Sequence, residues 1–174
     1  MCHDCSGSHT CCNKKKDGCS GCPSSASCGG CQGGCRGKGL TPLELELLFR
    51  LQQIPFLPLA RFLLKSSRSP HLCSVALAPV YLLEEDDSLE TVKETGRALL
   101  SLEEAGLVTL DYNIPLQGGS NALYAQSPLY QEFTQVAAQG SALPGAVFDQ
   151  PALEMGSMAV TPRGLALADH LQNL

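Results

Sequence analysis

The sequence predicts an α+β fold: a mainly helical domain with a small antiparallel sheet, preceded by an irregular, cysteine-rich tail. Three observations predict it. Nine of the ten cysteines lie at positions 2, 5, 11, 12, 19, 22, 28, 31 and 35, in a segment with almost no large apolar side chain before Leu40. Beyond that point Thr-Pro and Ser-Pro pairs precede leucines spaced three or four apart, the signature of capped amphipathic helices. Between the helices, Leu107 to Asn113 (LVTLDYN) alternates like a strand with one buried face.

The elements follow in order. Residues 1–39 offer Cys, Gly, Ser, Lys and Asn in place of apolar bulk, so burial cannot offset their chain entropy. Metal or disulfides would have to order them. The boundary falls near Gly37-Lys38-Gly39, leaving a domain over residues 40–174 with an insertion at about 114–156. Thr41-Pro42 with Glu44 supplies an N-cap, a first-turn proline and a capping box, predicting a helix from Pro42 to about Gln53. Leu43, Leu47, Leu51 and Ile54 form its expected buried stripe, and Pro55 stops it. A second short helix is expected from Pro58 to Lys65, then a loop from Ser66 to His71. Leu72 to Leu83 is apolar enough to be buried but ambiguous between strand and helix, and Pro79 argues against a regular central element. Asp87 or Ser88 caps the next helix, with Val92, Leu99 and Leu102 on one face and Gly106 at its end. After the LVTLDYN strand come a turn at Gln117-Gly118-Gly119, a short strand around Ala122 to Ala125 and a helix from Ser127-Pro128 to about Ala138. Gly140 to Pro151 reads as a loop and Gly156 to Val160 as a strand. Thr161-Pro162 opens the last helix, with Leu165, Leu167, Ala168 and Leu171 inward.

At 174 residues and 44% hydrophobic content the chain suits one domain of common size plus a tail. Its net charge of −5 is unevenly divided: five Lys and Arg against two Asp make the tail +3, leaving −8 for the remainder. Lys14, Lys15, Lys16, Arg36 and Lys38 suit phosphate contact, although a lysine run in a polar tail is first of all a solvated one. The start, Met1-Cys2-His3-Asp4-Cys5, lacks a basic region followed by an apolar one, so no export signal is expected. Apolar stretches near Ile54–Leu64 and Leu72–Leu83 fall short of the roughly 20 residues of a spanning helix. The expectation is a cytoplasmic protein without a membrane segment, where dense thiols favour metal or redox chemistry over structural disulfides.

The tail holds three Cys-x2-Cys pairs, Cys2/Cys5, Cys19/Cys22 and Cys28/Cys31, with Cys35 four residues beyond the last. Two such pairs make a tetrahedral thiolate site, because a two-residue spacer lets one turn present both sulfurs to an ion at about 2.3 Å for zinc. Interspersed glycines let backbone N–H groups approach the sulfurs, as around iron–sulfur clusters. The spacing points to metal and leaves zinc or an iron–sulfur cluster open. A bacterial ferredoxin run is not matched, since Cys28-x2-Cys31-x3-Cys35 supplies three ligands and the proline follows Cys22. His3 and His9 read as exposed tail residues before they read as ligands. Cys73, in an apolar stretch with His71, is expected to be a small buried hydrophobe.

Residues 88–110, SLETVKETGRALLSLEEAGLVTL, resemble the recognition helix and first wing strand of bacterial winged-helix regulators of the MarR and ArsR type. Residues 157–171, SMAVTPRGLALADHL, are similar to the returning strand, the turn and the closing helix of those families. The resemblance covers about residues 41–174. It implies a winged-helix-like domain, DNA as a partner, and Thr91, Lys93 and Arg97 as nucleic-acid-binding residues, with Glu94 also exposed. Two departures accompany it. About 43 residues, Ile114 to Gly156, separate the wing strands. Between Glu84 and Glu104 eight acids face only Lys93 and Arg97, the wrong sign for phosphate.

No enzyme is expected: Gly33 to Gly39 lacks the P-loop spacing, and no zinc-protease or serine-hydrolase motif occurs. Two functions follow from the cysteine spacing together with the resemblance. One is a metal- or redox-responsive transcription regulator whose thiolate tail alters how the domain meets DNA or a second subunit of a homodimer. The other is a protein-interaction or metal-carrier module on the same frame that never touches DNA.

Overall fold

A computed structural model of the protein describes residues 39–118 and 120–173. The order is α1 (Pro42–Gln53), β1 (Phe56–Ser66), β2 (Ser69–Val80), α2 (Leu89–Glu104), β3 (Val108–Asp111), α3 (Ser120–Gln126), α4 (Pro128–Ser141), β4 (Gln150–Val160) and α5 (Pro162–Gln172). The fold is thus mixed α and β, and its four strands form one antiparallel sheet in the order β2-β1-β4-β3.

Local chemistry starts the helices where the caps predict. Thr41 Oγ1 accepts from Glu44 N–H at 3.2 Å while the Glu44 carboxylate accepts from Thr41 N–H at 2.6 Å, the reciprocal capping box. Ser88, Ser127 and Thr161 each accept a backbone N–H three residues on, capping α2, α4 and α5. Asp87, the other candidate cap for α2, instead accepts from the N–H groups of Leu83 and Glu84. On α1 the buried stripe is Leu47, Leu48 and Leu51, with Leu43 half-buried; Ile54, at the C-cap and past the last turn, is exposed. On α5 Ala168 is buried, Leu167 and Leu171 are half-buried, and Leu165 is exposed.

Three expectations are corrected. Residues 58–65 belong to strand β1, not a helix. Leu57 and Leu59 enter one core cluster and Ala60 and Phe62 another, so both faces of β1 are covered and its sequence reads as a continuous apolar run rather than an alternation. Pro58 is tolerated because the β1–β2 ladder begins only at Ala60, so β1 is paired on one side there. Residues 122–125 are helical within α3, where Tyr124 is driven into the second cluster. β4 begins at Gln150, earlier than Gly156; Pro151 fits because the first half of β4 pairs with β1 alone, β3 joining only at Ser157.

The ambiguous segment resolves as β2, an edge strand, with Pro79 near its end. The expected loop at 66–71 shrinks to Ser67-Arg68. Asp149 ties down that tip, accepting from Ser67 N–H at 2.7 Å and from the Ser67 hydroxyl. The first core cluster joins Leu57, Leu59, Val108 and Met158 of the sheet to leucines of α1 and α2 and to Ala168 of α5. The second joins Ala60, Phe62 and Val80 to Val92, Tyr124 and Leu129. Strand alternation puts the two clusters on opposite sides of β1.

Candidate functional site

Two motifs that lie more than 50 residues apart in the chain meet in one clasp. α2 ends in a Schellman motif: Leu107 N–H donates to Leu102 C=O at 2.9 Å, Gly106 N–H donates to Glu103 C=O at 2.8 Å, and Gly106 has φ +70°. Leu107 C=O then accepts from Thr161 N–H at 2.9 Å and from the Thr161 hydroxyl at 3.1 Å. The same hydroxyl lies 2.8 Å from Gly106 C=O and accepts from Gly164 N–H at 3.0 Å. A Cβ on Gly164 would stand 3.0 Å from the Leu107 carbonyl carbon and 2.8 Å from Val160 Cγ2. The clasp therefore sets the ends of α2 and β3 against the start of α5.

α2 carries the residues that the resemblance assigned to nucleic acid. Its buried side is Val92, Thr95, Gly96, Ala98, Leu99 and Leu102, leaving Glu90, Glu94, Arg97, Ser101 and Glu104 along the exposed side. Thr91 Oγ1 lies 2.9 Å from Ser88 Oγ, and Lys93 pairs with Glu90 at 3.4 Å, so both are engaged within the helix. Arg97 is exposed and makes no side-chain hydrogen bond or ion pair to another described residue. The exposed stripe holds one cation among three carboxylates, and a duplex would meet net repulsion there.

The thiolate candidates Cys2, Cys5, Cys19, Cys22, Cys28, Cys31 and Cys35 lie outside the described residues, as do His3 and His9. Among the described residues no group of three or more His, Cys, Asp or Glu is placed to hold a metal ion. Cys73 is exposed rather than buried, because β2 is an edge strand whose residues 70–76 are mostly uncovered.

A cavity of about 480 Å³ lies where β3 ends, beside the first half of β4, which pairs with β1 alone; Tyr112, Asn113, Asn121, Leu153, Glu154 and Met155 are among its mixed polar and apolar lining. Beside it Arg61 pairs with Glu154 at 2.7 Å and sits 5.0 Å from the Tyr112 ring centroid; Lys65 reaches the same carboxylate at 3.7 Å. Burial, and then the Glu103 carboxylate, push the Tyr112 hydroxyl up from its usual range, with Arg61 opposing. The Arg61–Glu154 pair is satisfied within itself and holds the β1–β4 seam. The Arg61–Glu154 pairing comes from the β1–β4 register, which no local pattern in the sequence encodes.

Tyr124 is fully buried, accepting from Leu82 N–H at 3.3 Å and donating to Pro58 C=O at 3.5 Å. It bridges the gap where the β1–β2 ladder stops, and burial pushes its hydroxyl well above the usual tyrosine range. No helix among the described residues is long and apolar enough to cross a membrane.

A scan against protein-family models finds no match, and neither does a search of the curated proteins. Among solved structures the chain is similar to that of an uncharacterized protein from the hydrocarbon-degrading marine bacterium Alcanivorax borkumensis SK2. The identity is 17% and the TM-score 0.46, over 78% of this chain and 88% of that chain.

Proposed function

We propose that this is a metal-thiolate protein whose tail binds zinc or an iron–sulfur cluster, and whose folded body is an interaction module rather than a reader of DNA. The observation that carries the reading is the set of three Cys-x2-Cys pairs with Cys35, enough sulfur for a four-thiolate site, on a segment that cannot fold by burial. The acidic exposed side of α2 supports the second half of the reading. Zinc would leave the protein colourless and order the tail by ligation alone. A cluster would add a redox-sensitive centre.

Anaerobic purification followed by metal analysis and a visible spectrum tests it. Stoichiometric zinc in a colourless protein, or iron and sulfide in a brown one, is the expected result. Cys19→Ser with Cys22→Ser should lower the bound metal. Neither metal at stoichiometric amounts would overturn the proposal.

A metal-responsive DNA-binding regulator is the second reading, favoured by the clasp that joins the α2–β3 and β4–α5 motifs across the intervening α3 and α4, and by exposed Arg97. Weighing against it, the helix before α2 in the chain is separated from it by the long β1–β2 hairpin, not by a short turn. A gel shift on metal-loaded protein across a salt series separates the readings: retention at low salt, weakened by Arg97→Ala, favours the regulator, and no retention removes it.

A further inference from the structure

We propose that the trough between α4 and the β1–β2 hairpin binds a small aromatic organic cation. The floor is apolar: Phe62, Leu77, Leu129, Phe133 and Val136 line a hollow of about 250 Å³. A second hollow of about 370 Å³, reaching Leu64 and Phe148, shares Phe133 and Val136 with the first. A ligand spanning the two meets the usual size of small-molecule sites, roughly 300–1,000 Å³.

Ring faces and charge decide which ligand. Phe62 and Phe133 stack with centroids 5.2 Å apart, and Tyr130 meets Phe62 edge-on at 5.0 Å. Phe62 is 1% exposed and packed within this trio, so the ring a ligand reaches is that of half-buried Phe133, which lines both hollows and attracts a cation as well as apolar surface. The first hollow has two charged lining residues, Lys93 and Glu132. Lys93 is already held by Glu90 at 3.4 Å, whereas Glu132 has no ion pair with any described residue. An arriving anion would meet an ammonium already paired with Glu90 and an unpaired carboxylate; an arriving cation meets that carboxylate and the Phe133 ring. The body's charge of −8 over residues 40–174 concentrates cations around the trough in addition.

The test uses a pair of probes of like shape and opposite charge, (1-naphthylmethyl)trimethylammonium and 1-naphthylacetate, titrated into the full chain and followed by fluorescence anisotropy. The chain has no tryptophan, whose emission would overlap that of naphthalene. The ammonium should bind saturably and at least about fivefold more tightly than the acetate. Glu132→Gln should weaken it about two- to fivefold, the worth of an exposed ion pair. Val136→Arg, at a position 59% exposed, should abolish binding while leaving the fold intact. Equal or tighter binding of the acetate, no saturable ammonium binding, an unchanged Glu132→Gln, or a Val136→Arg that still binds each overturns the proposal.

Discussion

Gly164→Ala tests the clasp directly, because two effects of opposite sign meet at one atom. Gly164 is the third residue of α5, and alanine there would gain about 1 kcal/mol of helix propensity. Its Cβ, however, would stand 2.8 Å from Val160 Cγ2 and 3.0 Å from the Leu107 carbonyl carbon, closer still to the carbonyl oxygen. Favourable carbon contacts begin near about 3.5 Å. Leu107 cannot simply retreat, since its N–H is bonded to Leu102 and its C=O to Thr161. Relief requires α5 to back away from the α2–β3 junction by about an ångström, because the carbonyl oxygen is the nearest atom, stretching the two Thr161 bonds to Leu107. Overpacking costs about 1–3 kcal/mol, and each weakened bond a fraction of its net value of about 1 kcal/mol. Sterics should therefore win by about 2 kcal/mol. Gly140→Ala is the matched control: near the end of α4 its Cβ meets nothing within 4 Å, so only the propensity gain, up to about 1 kcal/mol, remains. Urea unfolding of the full chain under reducing conditions, read by far-UV circular dichroism, gives both values from the midpoint shift at constant slope. A Gly164→Ala protein as stable as the parent would refute the reasoning.

Tyr124→Phe should cost about 1–2 kcal/mol at neutral pH, since it strips Leu82 N–H and Pro58 C=O of their shared partner. Burial raises the folded-state affinity of this hydroxyl for its proton, so its contribution is complete below the unfolded tyrosine value of about 10 and is lost as pH rises beyond it. The stability gap between parent and Tyr124→Phe should narrow above about pH 10; a gap that widens there contradicts the assignment. At Asp149 the hydrogen bonds from the Ser67 hydroxyl and backbone hold the carboxyl below its ordinary range, so its contribution is present above the unfolded value of about 3.9 and fades as pH falls through the folded one. Asp149→Asn should therefore lower the unfolding midpoint slightly at pH 7 and less at about pH 3, below the unfolded value. Equal effects at both pH values would show that charge plays no part.

Helix starts were legible because each is decided within four residues: Thr41 with Glu44, Ser88, Ser127 and Thr161 all cap as their types and spacings require. α3 was not legible, because its helicity is settled by Tyr124, whose hydroxyl finds its partners 42 and 66 residues away. Two similar limits apply to the candidate site. The resembling motifs around Gly106 and Thr161 were each readable, but their contact across more than 50 residues is a tertiary fact. The thiolate spacing is complete in the sequence, whereas the ion pair of Lys93 with Glu90 is decided only by where the side chains lie. Spacing three on a helix permits that pair without requiring it.

The strands show why periodicity succeeded once and failed twice. β3 has its buried Val108 followed by exposed Thr109, and that one-sided burial writes an alternation into the sequence. β1 is covered on both faces and pairs with β4 through ten successive residues without a register shift, so nothing selects polar residues at alternate positions. β2 fails for the opposite reason. Its ladder with β1 shifts register three times, Pro70 and Pro79 interrupt it, and residues 70–73 are exposed on successive positions. Each shift turns the following side chains relative to the sheet and spoils the next edge hydrogen bonds, as natural edge strands do to discourage further pairing. That places exposed Leu72, Cys73 and Val75 without a charged residue anywhere from Ser69 to Leu83. Geometry rather than charge guards this edge, and geometry of that kind leaves no period to read.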